Sequence, residues 1–179
     1  MKHFIFICIL LTSAGVNAQK FISEKSAVSF FSKASIEDIS AKNEKALCMF
    51  DIATGDIAFS IPIKDFTFEK SLMQEHFNEK YLESDKFPKS TFQGKLTGYA
   101  ADMSGAQQVV AKGKLTIHGV SRDVEITGTF AKDQAQITLV SKFMVKLEDH
   151  QVKIPQLLWK NIAESVEVSI DFTLKPYEK

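Results

Sequence analysis

Residues 76–88 read HFNEKYLESDKFP, bringing together His76, the acids Glu79, Glu83 and Asp85, and the aromatics Phe77, Tyr81 and Phe87. On a helix, His76, Glu79 and Glu83 would share one face, a pattern that suits a metal site or an acid–base pair. Such chemistry needs partners. A di-metal carboxylate site draws ligands from several helices, and a zinc protease motif sets two histidines four residues apart. The chain has neither pattern, and His118 and His150 lie in turn-like settings that nothing in the sequence brings to His76. G-x-S-x-G, G-x-x-x-x-G-K-[ST], G-x-G-x-x-G and C-x-x-C are also absent. We therefore assign no catalytic residue, metal ligand or cofactor, and read His76 as a structural, hydrogen-bonded histidine.

The elements that must carry this stretch are strands. Ile57, Phe59, Ile61 and Ile63 alternate with Ala58, Ser60, Pro62 and Lys64, placing four large apolar side chains on one face. The same alternation holds for Val28 and Phe30; Leu115 and Ile117; Val124 and Ile126; Ile137, Leu139, Phe143, Val145 and Leu147; and Val166, Val168, Ile170, Phe172 and Leu174. These make six clear strands, and weaker ones are expected within 34–52 and 91–100. Thr54-Gly55-Asp56, Ser104-Gly105, His118-Gly119 and Lys132-Asp133 mark the turns. Polar residues on the opposite face indicate antiparallel strands wet on one side, hence an all-β sandwich or closed up-and-down barrel. A barrel of about eight strands either fills its interior with side chains or encloses one small ligand. Residues 71–86 break the pattern. Met73, Phe77 and Tyr81, spaced by four, predict a short helical insertion, with Ser71 and Gln74 as a capping box and Pro88 as its end. A second irregular stretch, IPQLLWKNI at 154–162, precedes the last strand.

Met1, Lys2 and His3 lead into the apolar run Phe4–Leu11, and Val16-Asn17-Ala18 supplies a small-residue cleavage site. This predicts a signal peptide over 1–18 and a single mature domain over 19–179, exported to the periplasm or beyond. The apolar run is far shorter than the roughly 20 residues of a membrane span, so no stable membrane insertion is expected. With 22 basic and 22 acidic side chains, no basic field exists to hold nucleic acid. Cys8 leaves with the signal peptide, and Cys48 alone can form no disulfide within the domain.

Two stretches resemble the YceI-like family of secreted bacterial proteins. In 57–96 the shared features are Phe59 and Ile61, His76 and Phe77, Tyr81 and Leu82, Phe87-Pro88 and Phe92; in 113–130 they are Leu115, Ile117, Gly119, Val120, Ser121 and Arg122. The resemblance implies an extended eight-stranded antiparallel barrel, lipocalin-like, with a tunnel for a polyisoprenoid or other long-chain amphiphilic lipid and no shared catalytic mechanism. The chain departs from the family where many relatives carry two phenylalanines, with Tyr81 and Leu82 in their place.

Ligand contacts are then expected from Phe30, Phe59, Ile61, Phe66, Met73, Phe77, Tyr81, Leu82, Phe92, Leu115, Ile117, Ile126, Leu139, Phe143, Trp159, Ile170 and Phe172, with Ile57, Val124 and Ile137 on the same strand faces. Ordinary core packing is the competing role for each. A barrel packed solid and serving as a secreted interaction module is the alternative to a lipid carrier. An enzyme using His76 or Tyr81 at the mouth is a third reading. An exposed edge or mouth patch could pair two copies into a homodimer.

Overall fold

The computed structural model describes residues 19–33, 38–153 and 163–178. Ten antiparallel strands follow the chain: β1 (Lys20–Ser32), β2 (Ile39–Asn43), β3 (Leu47–Asp51), β4 (Asp56–Pro62), β5 (Thr67–Phe68), β6 (Lys89–Thr97), β7 (Gly105–Ile117), β8 (Val120–Asp133), β9 (Gln136–Lys146) and β10 (Ser165–Pro176). Neighbours run β10-β9-β8-β7-β6-β4-β3-β1, and β1 pairs back onto β10 from Phe21↔Pro176 to Phe31↔Glu167. The sheet is thereby a closed barrel. β2 and β3 together form one interrupted stave, because β3 pairs with β1 at residues 20–22 and β2 with β1 at 28–32. Eight staves result, with β5 a two-residue addition to the edge of β2. The six clear strands and both weaker ones of the sequence are all present.

Two local devices set the inner face of β1. The register with β10 shifts between Ser23 and Lys25, so the buried positions change from Phe21 to Val28 and Ser32. Opposite that bulge the stave breaks at residues 44–46. The Asn43 side chain, fully buried, donates to the Pro62 carbonyl at 2.7 Å and accepts from the Lys45 amide at 2.8 Å. The Ser23 hydroxyl accepts from the Cys48 amide at 3.0 Å, so the gap in the ladder is filled by side chains.

Alternation elsewhere is regular, burying Ile57, Phe59 and Ile61 on β4, Ile137, Leu139 and Val145 on β9, and Ile170, Phe172 and Leu174 on β10. The outer wall carries cross-strand ion pairs such as Lys112–Glu125 and Lys114–Asp123 at 2.9 Å. The β7–β8 hairpin turns on His118-Gly119, both with positive φ (51° and 73°), the two-residue turn whose twist matches the flanking strands.

Gly94 and Gly113 face each other across β6 and β7, and a Cβ on Gly94 would lie 2.2 Å from the Lys112 carbonyl oxygen. The two backbones approach each other there at a spot no side chain can share. Gly94→Ala is expected to destabilise the barrel by about 3 kcal/mol or more, measurable as a lowered urea midpoint.

Candidate functional site

The interior is not uniform along the barrel axis. At one end the rings of Phe50, Tyr99 and Phe130 pack within 5.1–6.1 Å of one another, beside the fully buried Phe21, Ile137 and Leu174. The Tyr99 hydroxyl is spent on the Ile52 carbonyl at 2.8 Å. In the middle Phe59 stacks on Phe92, with centroids 5.1 Å apart and planes 13° from parallel, and contacts Phe172 at 6.0 Å.

Above this layer lies a cavity of about 240 Å³. The C-terminal ends of β1, β4, β7 and β9 and the start of β10 wall it with Val28, Ile61, Leu115, Ile117, Phe143, Val145, Val166, Val168 and Ile170. Its volume falls just under the roughly 300–1,000 Å³ of small-molecule sites. Among the described residues no Asp, Glu, Lys or Arg lines it. A broader hollow of about 630 Å³ on the outer wall, bordered by Lys20, Asp51, Asp56, Lys95 and Lys112, is open and charged. The smaller, sheltered, apolar cavity is therefore the candidate site.

A lid covers the cavity. Residues Ser71–His76 form a short helix, α1, which runs into a wider π-helical turn over Phe77–Tyr81 closed by the Leu82 amide on the Phe77 carbonyl at 2.9 Å. The expected capping box does not form. Lys70 stands at the cap position, no side chain caps the helix there, and Ser71 is already helical. Packing holds the element instead: Phe77 stacks on Phe30 at 5.5 Å and meets Phe66 and Phe68 at 5.4 and 5.0 Å. Met73, His76, Phe77, Tyr81 and Leu82 all face the cavity.

Polar contacts hold the lid's far end. Glu83, at a φ of 42°, pairs with Lys86 and accepts from His118 Nε2 at 3.0 Å. His118 Nδ1 faces the His150 carbonyl oxygen at 3.3 Å. Both contacts are hydrogen bonds only when both ring nitrogens carry protons. The Phe87 ring stands edge-on to His118 at 4.6 Å, and a Cβ on Gly119 would lie 2.5 Å from it. Glycine at 119 thus serves both the turn and this ring, and the histidine beside it ties the lid, the β7–β8 turn and the turn at Leu147–His150 together.

Of the expected ligand residues, Phe30, Phe59, Ile61, Phe66, Met73, Phe77, Tyr81, Leu82, Leu115, Ile117, Phe143 and Ile170 border the cavity. Phe92, Ile126, Leu139 and Phe172 lie on the same strand faces but are core residues that do not line it. Ile57, Val124 and Ile137 likewise pack into the core without lining it. Trp159 falls outside the described residues. The expectation had overlooked the roles of Ile39, Ile63, Phe68, Ser90, Val152 and the β-branched walls of β9 and β10. Alternation had marked Val145, Val166 and Val168 as inward, but not their height along the barrel.

His76 and Tyr81 border the cavity with no hydrogen-bond partner among the described residues. This differs from the hydrogen-bonded His76 expected above and leaves two polar groups available at the mouth. Burial raises the Tyr81 phenol above its usual pKa, so it keeps its proton. Cys48 is buried, its thiol pushed up to about 12 by desolvation, which makes it inert as a nucleophile at neutral pH. Among the described residues no group of three or more His, Cys, Asp or Glu could hold a metal ion.

A closed antiparallel barrel with a lidded apolar cavity at one end has the architecture of small-ligand-binding barrels. Residues 20–174 match the YceI-like domain, and the chain belongs to that family. No curated protein matches the sequence. Among solved structures it is similar to BcnA of Burkholderia cenocepacia, with 20% identity over 83% of this chain and 95% of that one and a TM-score of 0.71. A polyisoprenoid binding domain from Saccharophagus degradans has 13% identity over 88% and 98% of the two chains and a TM-score of 0.76. The YCEI protein of Campylobacter jejuni has 18% identity over 75% and 81%, with a TM-score of 0.58. At these identities the likeness establishes the shared fold.

Truncating Phe77 to alanine removes its contacts with all three neighbouring rings. A loss of about 3–5 kcal/mol is expected in chemical denaturation, with faster amide exchange over 71–87. A second expectation concerns pH. Glu83 is held below the usual glutamate range, first by Lys86 and then by His118. A lowered folded-state pKa contributes stability that is complete above the ordinary value and is lost as pH falls through the lowered one. Exchange protection of 83–87 should hold from neutral pH down to the ordinary glutamate range and decline below it. Glu83→Gln should flatten that dependence.

Proposed function

We propose that this protein binds an amphiphilic lipid of the polyisoprenoid or isoprenoid-quinone class in the lidded cavity, as a carrier or store rather than an enzyme. The observation that carries this reading is the cavity itself, about 240 Å³ with predominantly aliphatic and aromatic walls. Each methylene moved from water into such a site contributes roughly 0.8 kcal/mol, so binding requires no charged partner and no reacting group. His76 and Tyr81 at the mouth are placed to meet a polar head. The polyisoprenoid binding domain from Saccharophagus degradans supports the same reading by its fold.

The reading includes a cellular place. Residues 1–18 act as an export signal, the domain from Gln19 works in the periplasm or outside the cell, and two copies pair if an exposed edge or the mouth is used. Among the described residues no helix is long and apolar enough to cross a membrane. The cavity favours this reading over a solid-cored interaction module, whose defining property would be a filled interior.

Native mass spectrometry of protein purified from its host, followed by solvent extraction, is expected to reveal a bound amphiphile. Val168→Trp, which places an indole in the cavity wall, should fold and arrive empty. A wild-type barrel that is empty and takes up neither a quinone nor a prenyl alcohol would refute the assignment.

A further inference from the structure

Ser90 is a polar residue at a position where the barrel itself makes no use of its hydroxyl. It lies on the inner face of β6, paired with Ile61 and two residues before the fully buried Phe92. The residue is 7% exposed and borders the cavity, yet its hydroxyl has no hydrogen-bond partner among the described residues. Ser32, a buried serine of the same wall, differs, since its hydroxyl accepts from the Ala163 amide at 3.0 Å. A hydroxyl taken out of water without a partner weakens the fold, and a bound molecule that supplies the missing atom removes that penalty.

Resting on the lipid-binding reading, we infer that Ser90 is a ligand-binding residue which, with His76 and Tyr81, selects a lipid whose head presents oxygen acceptors. The set draws on both the wall and the lid. All three side chains donate: two through hydroxyls, the third through an imidazole N–H. A hydroxyl, carbonyl or phosphate oxygen satisfies such donors. An ammonium head does not, because among the described residues no carboxylate lines the cavity to balance its charge.

The test holds the tail constant and varies the head. Delipidated protein is incubated with phosphatidylcholine vesicles carrying nonaprenyl alcohol, nonaprenyl phosphate, a nonaprenyl benzoquinone, nonaprenylamine or the parent nonaprenyl hydrocarbon, and loading is read by native mass spectrometry. The same vesicles serve wild type and variants, so differences in how each lipid sits in the bilayer cancel. Ser90→Ala should reduce loading of the oxygen-headed lipids roughly fivefold, the worth of one hydrogen bond, and leave the hydrocarbon unchanged. Tyr81→Phe, which keeps the ring, should act in the same direction. The urea midpoint of Ser90→Ala should be no lower than that of wild type, because the hydroxyl removed is unbonded in the empty barrel. A lowered midpoint, or equal losses for the hydrocarbon and the oxygen-headed lipids, overturns the assignment of Ser90. No loss for any head does the same. Loading of the amine at the level of the alcohol overturns the acceptor selection. In each of these outcomes lipid binding still stands, whereas failure of every compound to load, the hydrocarbon included, removes both.

Discussion

The pairing of β1 with β10 is the constraint from which the rest follows. Along Phe21–Phe31 it joins the first strand to the last, so the two ends of the sheet meet instead of standing as a pair of open hydrogen-bonding edges. Closure gives every strand an inside. Alternation then sends one residue in two into a space of fixed width, and what those residues are decides whether the space is filled. The bulge at Ser23–Lys25 is part of the same solution, because without it Phe21 and Val28 could not both point inward.

Filling differs between the two ends because side-chain volume does. Inward positions at the solid end carry Phe21, Phe50, Phe130 and Phe172, with the Tyr99 ring packed among them. Those at the other end carry Val28, Ser32, Ser90, Val145, Val166 and Val168. Smaller groups on a wall of the same girth leave a void. A void lined mostly by aliphatic and aromatic side chains offers water few hydrogen-bonding partners. Phenylalanine has a second task at this end, where Phe30, Phe66, Phe68 and Phe77 spend their area on one another and fasten the lid instead of filling the barrel.

Much of this was legible in the sequence, and the misses share a cause. Two-residue periodicity reports which face a side chain is on, so the eight staves and most lining residues could be read from it. It does not report depth. Phe92, Ile126, Leu139 and Phe172 obey the same alternation as Phe59, Leu115 and Ile170, yet pack into the core without lining the cavity. Phe21 escaped because a bulge shifts the phase of its strand. The Ser71–Gln74 spacing suggested a cap that packing made unnecessary, since Phe77 holds the helix from its other end. The long-range tie of His118 to Glu83 spans 35 positions and leaves no periodic trace.

Residues 76–88 are attached to the barrel in two different ways. Glu83 is committed to His118 and Lys86, and Asp85 to Lys64 at 2.6 Å, all near water. Glu83, through His118, and Asp85, through Lys64, thus hold the segment's end to the barrel, and surface pairs of this kind give weak, reversible attachment. The aromatic end is held more firmly, by buried ring contacts. A segment clamped at Phe77 and lightly latched at Glu83 has a strong end and a weak end. Tyr81 and Leu82, which border the cavity, lie between the two.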